Sequence, residues 1–238
     1  MTLFLSHRGE SDDAPENTVE AFKLAMARDS DGWELDIRFT ADKQVVVVHD
    51  ADLKRVANSE LIIADSTLAE LQVVHPVPLL KDVLTYLKPN KHCQIEIKGN
   101  NFEIIPAFRK IFDEWQGDKT QIAISSFEED TVMKVAEFFP ERHRLLLIDL
   151  TEKFGCFPTA AETAQLMKSL NCTGVSFKAD FKADRNFVNE LKKLGMRVVC
   201  WGVSSDELGI AMAEAGVDAM TNNHAVALRA KYNTINKL

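Results

Sequence analysis

Short apolar runs recur along this chain, each followed by a stretch of helical periodicity, and few folds can accommodate that alternation. The strand-like runs fall at residues 3–6, 33–40, 94–98, 121–125, 144–148, 174–177, 197–203 and 219–221. The helical stretches follow at 18–28, 79–87, 102–115, 129–139, 159–170, 184–194, 206–215 and 225–232. Residues 45–49 read as a return arm that makes a hairpin with 33–40. With the hairpin counted as one excursion the chain holds eight β/α units. Strands that alternate with helices must run parallel, and eight such units at this length suit a closed (β/α)8 TIM barrel better than an open doubly wound sheet. Neither an internal repeat nor a Pro/Gly/Ser linker interrupts the pattern, so residues 1–238 read as a single domain. Only residues 51–78 break the alternation. They carry charged residues, two prolines and a short helical stretch at 67–71, and they read as a short excursion over the C-terminal rim of the barrel.

Charge and cysteine usage narrow the partners. The formal net charge is -8 and the pI near 5.3, which argues against nucleic acid or an acidic membrane surface as the main partner. Cys93, Cys156, Cys172 and Cys200 are far apart and mostly sit in apolar strand-like contexts. They read as reduced core thiols of a cytoplasmic protein rather than as disulfide partners or zinc ligands. The first residues, Met1 to Gly9, lack a basic leader and hold too short an apolar run for a signal peptide or a stable membrane anchor.

Active sites of such barrels lie at the carboxyl ends of the strands, so the polar residues found there matter most. Side chains alternate along a strand, so Glu34 and Asp36 share one face while Leu35, Ile37 and Phe39 take the other. A turn at Asp42-Lys43 would set Asp36 opposite His49. His7 and Arg8 end the first strand, and Glu96 and Lys98 alternate on the third. Seven ionisable residues therefore meet at one rim. Burying three carboxylates together is costly without a compensating cation, and an all-oxygen set of Glu34, Asp36 and Glu96 suits one divalent cation, Mg²⁺, Ca²⁺ or Mn²⁺. Simple ion pairing of these carboxylates with Arg8 and Lys98 is the weaker alternative for the whole group. Arg8 and Lys98 are fitted to phosphate oxygens, and His7 and His49 to moving protons near neutral pH. His75, His92, His143 and His224 carry no such context. Ahead of the first helix, Asn17 reads as its N-cap, with Glu20 completing a capping box and Pro15 restricting the approach.

The ordered set His7-Arg8-Gly9, Ala14-Pro15-Glu16-Asn17-Thr18, Glu34-Leu35-Asp36, His49-Asp50, Ile95-Glu96-Ile97-Lys98 and Ser126-Phe127 resembles the glycerophosphodiester phosphodiesterases over nearly the whole chain. The resemblance implies His7 and His49 as an acid/base pair, Glu34, Asp36 and Glu96 as metal ligands, and Arg8 and Lys98 as phosphate and transition-state contacts. It also implies metal-dependent release of glycerol 3-phosphate and an alcohol from a small phosphodiester. Trp201 looks like the family's tryptophan near the seventh strand end, and with Phe127 it either lines the glycerol side of the pocket or packs in the core. The sequence departs from the family at Thr221-Asn222-Asn223-His224, where an aspartate and then a proline usually follow the threonine. The short excursion leaves little material for a deep pocket, which favours a small deacylated substrate over an intact lipid. Two other functions fit the same residues: cleavage of another phosphodiester, as in phospholipases of similar architecture, and non-catalytic binding of a phosphorylated ligand. The pair Glu96 and Lys98 favours the first reading over the former, and the complete set of histidines and carboxylates favours it over the latter.

Overall fold

The computed structural model describes residues 1–236. Nine strands form its sheet: β1 (Leu3–His7), β2 (Gly32–Phe39), β3 (Val45–Val47), β4 (His92–Ile97), β5 (Ile122–Ser126), β6 (His143–Ile148), β7 (Gly174–Lys178), β8 (Arg197–Trp201) and β9 (Ala219–Asn222). Eight of them are parallel and close a barrel, because β1 pairs with β2 on one side and with β9 on the other. Helices fill the connections, so the fold is the (β/α)8 TIM barrel that the alternation predicts. Among the described residues no helix is long and apolar enough to cross a membrane.

Period-two alternation sorts the side chains of the barrel into three environments. Outward residues such as Trp33, Leu35, Ile37, Cys93 and Ile95 are buried against helices carrying Phe22, Phe108 and Phe112. A second such layer joins Val175, Phe177 and Val198 to Met167, Val188, Leu191 and Met212. Inward residues Leu5, Ala123, Leu145, Val199 and Ala219 pack on one another as a floor across the barrel. Two residues further along the same strands stand His7, Ser125, Leu147, Trp201 and Thr221. The alternation that builds the floor thus also decides which residues face the open end.

The hairpin differs from its expected register. β3 ends at Val47, and Ile37 pairs with Val47, Arg38 with Val46 and Phe39 with Val45. The turn runs from Thr40 to Gln44, with Lys43 left-handed at φ 61° and the Thr40 hydroxyl bonded to Asp42. The wider turn slips the register by one, so the backbone of Asp36 bonds Val48 and not His49. His49 leaves the strand altogether, and its carbonyl is held by Arg38 Nε at 2.8 Å.

Residues 51–78 form two short helices, Lys54–Ala57 and Leu68–Val74, and a 3₁₀ turn. Thr67 and Glu70 make a capping box at the second helix. Leu53, Ile63, Leu71 and Val77 bury themselves on Val46 and Val48, which fastens the excursion to the hairpin at the rim. Three cysteines, Cys93, Cys172 and Cys200, are buried, and Cys156 is exposed; all are free thiols.

At the end of β1 the chain makes two successive left-handed steps, Arg8 at φ 57° and Gly9 at φ 81°. A Cβ on Gly9 would stand 2.6 Å from the Ala21 side chain and 2.7 Å from its backbone. Gly155 shares the left-handed conformation at φ 74° but has nothing within 4 Å of that position. Gly9→Ala is therefore expected to lose well over the ~1 kcal/mol typical of left-handed strain alone, and Gly155→Ala only about that amount. Urea unfolding of the two variants measures the difference.

Candidate active site

Strand ends bring His7, Arg8, Glu34, His49, Gln94, Glu96, Lys98, Phe127, Leu147 and Trp201 around one cavity of about 470 Å³. It opens at the carboxyl ends of the strands, as expected for this fold. Each member arrives by a local rule. Glu34 and Asp36 alternate inward on β2, Glu96 sits beside Asp36 in the β2–β4 ladder, and Lys98 follows immediately after β4. Arg8 is turned back by the left-handed step at Gly9, and its N–H bonds the Glu34 carbonyl at 2.9 Å.

Glu34, Asp36 and Glu96 are each nearly fully buried, at 3 %, 1 % and 6 % exposure, and carboxylate oxygens from all three lie within 4.8 Å of one another. Arg8 Nε stands 3.2 Å from Asp36, and Lys98 Nζ bridges Asp36 at 3.0 Å and Glu96 at 2.5 Å. Three carboxylates meet two cations, which leaves one negative charge in excess. Burial raises the Asp36 carboxyl, but Lys98 and Arg8 outweigh it and hold Asp36 below the usual carboxylate range. Burial and the charges of Asp36 and Glu96 push Glu34 well up. Burial and Asp36 also push Glu96 up, to about 7. The buried Glu34 Oε2 has no hydrogen-bond partner. An orphaned buried oxygen and an uncompensated charge in an all-oxygen cluster fit a hard divalent cation.

Both histidines face this cavity. The Nδ1 of His7 lies 2.7 Å from Asn223 Oδ1 and donates to it, while its Nε2 lies 3.9 Å from Glu34 Oε2. The Nδ1 of His49 lies 2.6 Å from Asp50 Oδ1. The carboxylate of Asp50 can only accept, so Nδ1 carries the proton and Nε2 is left free. Burial lowers both imidazoles, with Arg8 adding to the effect at His7 and Asp36 opposing it at His49.

Phe127 and Trp201 stand edge to face with ring centroids 5.1 Å apart, and both line the cavity. Trp201 is fixed by its Nε1–H bond to the Ser176 carbonyl. The side that they form is apolar and borders the charged cluster, with Lys98 Nζ 5.8 Å from the Phe127 ring centroid.

Four residues, Asn17, Asn223, His224 and Asp50, contribute to the site in ways that sequence reasoning did not assign. Asn17 does not cap the first helix; Thr18 does, accepting from the Ala21 N–H. Asn17 is left-handed at φ 56°, and its Nδ2 donates instead to Asp36 Oδ2 at 2.8 Å. Thr18 is of a capping type as well, and the buried Asp36 carboxylate claims the Asn17 side chain. Asn223 orients His7, and the preceding Asn222 accepts the His224 N–H at 2.9 Å, a bond that a proline at 224 could not make. His224 itself lines the cavity and lies between Asp12 and Asp206. Asp50 needed only its adjacency to His49 to be found.

Comparison with known proteins bears on the family and the fold. The family model of the glycerophosphoryl diester phosphodiesterase family matches residues 7–227. A glycerophosphodiester phosphodiesterase of Caldanaerobacter subterraneus subsp. tengcongensis is 30% identical, over 92% of this chain and 93% of its own. The crystal structure of a glycerophosphodiester phosphodiesterase from Thermotoga maritima superposes with a TM-score of 0.80 at 27% identity, covering 97% of this chain and 98% of that one. An Oleispira antarctica phosphodiesterase solved with its product sn-glycerol-3-phosphate shares the fold, with a TM-score of 0.82 at 22% identity and coverage of 95% and 94%. The chain belongs to the glycerophosphoryl diester phosphodiesterase family.

Proposed function

We propose that this protein hydrolyses small glycerophosphodiesters to glycerol 3-phosphate and an alcohol, with His7 and His49 moving the protons and Glu34, Asp36 and Glu96 holding one divalent cation. The observation that carries this reading is the triad of buried carboxylates flanked by Arg8 and Lys98 on a cavity that both histidines line. Mg²⁺, Ca²⁺ and Mn²⁺ all suit such oxygen ligands. When bound, the cation supplies positive charge next to the phosphoryl oxygens and the substrate's glycerol hydroxyl.

The two imidazoles have different partners, which suits them to different tasks. His7 rests on a neutral carboxamide beside the positive Arg8, so it stays an unprotonated base. His49 rests on the Asp50 carboxylate, which offsets part of the lowering by burial and favours its protonated form more than a carboxamide favours that of His7. The glycerol hydroxyl attacks phosphorus while His7 Nε2 takes its proton, and His49 protonates the departing alcohol. Water then opens the cyclic phosphate with the proton roles reversed. Arg8 and Lys98 neutralise the non-bridging oxygens throughout. Attack within one molecule gains from proximity, and the Phe127–Trp201 side supplies an apolar surface against which the glycerol carbons are held.

Release of glycerol 3-phosphate from glycerophosphocholine or glycerophosphoethanolamine, with and without EDTA, tests the proposal. Turnover that is lost with EDTA and restored by added cation is expected; no release from any glycerophosphodiester in the presence of cation overturns it. His49→Ala is expected to lower kcat at least ~100-fold with cation binding retained. Calorimetric titration of the cation and steady-state kinetics on the folded variant measure both.

A pH dependence follows from Glu96. Its carboxyl is raised from the ordinary 4.5 to about 7, so the cation-free native state holds a proton that the unfolded chain has released. Native protein therefore binds more protons between those values, and its stability falls as pH rises through that window. A cation takes the place of the proton and cancels the loss. The gain in Tm on adding saturating cation should accordingly be larger near pH ~7.5 than near pH ~5, read by scanning calorimetry.

A further inference from the structure

Arg55 occupies the first of the two helices in the excursion, a segment whose place is fixed by its own buried contacts. Leu53 is fully buried, and Asp52 bridges Ile62. The guanidinium of Arg55 reaches back to the rim and makes three bonds. Its Nε donates to Asp50 Oδ2 at 2.6 Å, and its Nη1 and Nη2 donate to Glu16 Oε2 and Oε1 at 2.8 and 2.7 Å. Each of those carboxylates has a second partner in the site. Asp50 Oδ1 accepts from His49 Nδ1 at 2.6 Å, and Glu16 Oε1 accepts from Arg8 Nη1 at 2.8 Å. One planar fork therefore joins a histidine that follows β3 to an arginine that follows β1.

We infer that Arg55 is a positioning residue for both groups: through Asp50 it fixes the ring of His49, and through Glu16 it limits the hold that Glu16 has on Arg8. Stability does not account for the arrangement, because the Arg55 side chain is 50% exposed and exposed ion pairs contribute little. Geometry does. Only a guanidinium presents three coplanar N–H donors in these directions; a lysine ammonium keeps the charge but cannot make the set. Without Arg55, Asp50 is restrained by His49 alone and the imidazole is free to turn. Glu16 then has Arg8 as its remaining cation, and the Glu16–Arg8 pair competes with the substrate's phosphoryl oxygens for the same fork. The two effects are separable, since one falls on proton transfer and the other on binding.

The inference rests on the roles proposed above for His49 and Arg8, and its test has one arm that does not depend on turnover. Full-length Arg55→Met is expected to lower kcat by about 10- to 100-fold and to raise KM for glycerophosphocholine several-fold. Adding Glu16→Gln should restore KM and leave kcat low. Asp50→Asn should reproduce the loss of kcat, and Arg55→Met in that background should lower kcat no further. Arg55→Lys should resemble wild type in Tm but Arg55→Met in kcat. Long-range ¹H–¹⁵N spectra should show His49 with Nδ1 protonated in the wild type and with mixed tautomers in Arg55→Met. If Arg55→Met keeps kcat and KM within about twofold of wild type, or leaves the His49 spectrum unchanged, the inference is wrong. A wild type that turns over no glycerophosphodiester would remove the proposed function instead, while the spectra would still report whether Arg55 orients His49.

Discussion

Three carboxylates buried within ligand distance of one another are the constraint around which the open end of this barrel is organised. Glu34, Asp36 and Glu96 repel one another in a place where little water screens them. Arg8 and Lys98 answer Asp36 directly, Asn17 satisfies one of its oxygens, and the remaining excess falls on Glu34 and Glu96. The left-handed pair Arg8-Gly9 and the left-handed Asn17 are strained or special conformations next to this cluster. Their location suggests a single cause: side chains from the β1 loop are turned toward the carboxylates at the expense of local backbone comfort.

The strand pattern supports this arrangement from beneath. A floor of Leu5, Ala123, Leu145, Val199 and Ala219 closes the barrel two residues below the polar layer. Because that floor is packed, the carboxylates sit on a surface that excludes water from one side, and their charges act at short range across the cavity rather than into solvent. Gln94 bonded to Ser125 fills the polar layer where no charge is needed.

Much of this could be read from the sequence because it depends on short-range periodicity. The eight parallel strands, the inward alternation of Glu34 and Asp36, and the position of Glu96 beside Lys98 follow from periods of two and from strand–helix alternation alone. What could not be read depends on turn geometry and on distant neighbours. The hairpin register was off by one because the turn spans Thr40 to Gln44, and the hydroxyl of Thr40 that widens it looks like any strand-end residue. His49 nevertheless reaches the cavity, since it lies past the end of β3 and its position is set by Arg38 and Asp50 rather than by pairing. Asn17 could be placed only by seeing Asp36 beside it. Asn223 belongs to a segment where this chain departs from its family's usual residues, so the pattern there pointed to a change of loop without naming its new bond.

The bond between His7 and Asn223 joins residues 216 positions apart and ties the first barrel strand to the last. During synthesis every other part of the carboxylate cluster exists once β4 has emerged, yet the His7 imidazole has no orienting partner until β9 docks on β1. If His7 acts as proposed, catalytic competence is thus the last property the chain acquires, and only a closed barrel acquires it. Under the proposed mechanism, an incomplete or misclosed chain would keep its acidic cluster but lack an oriented His7, and would leave phosphodiesters intact.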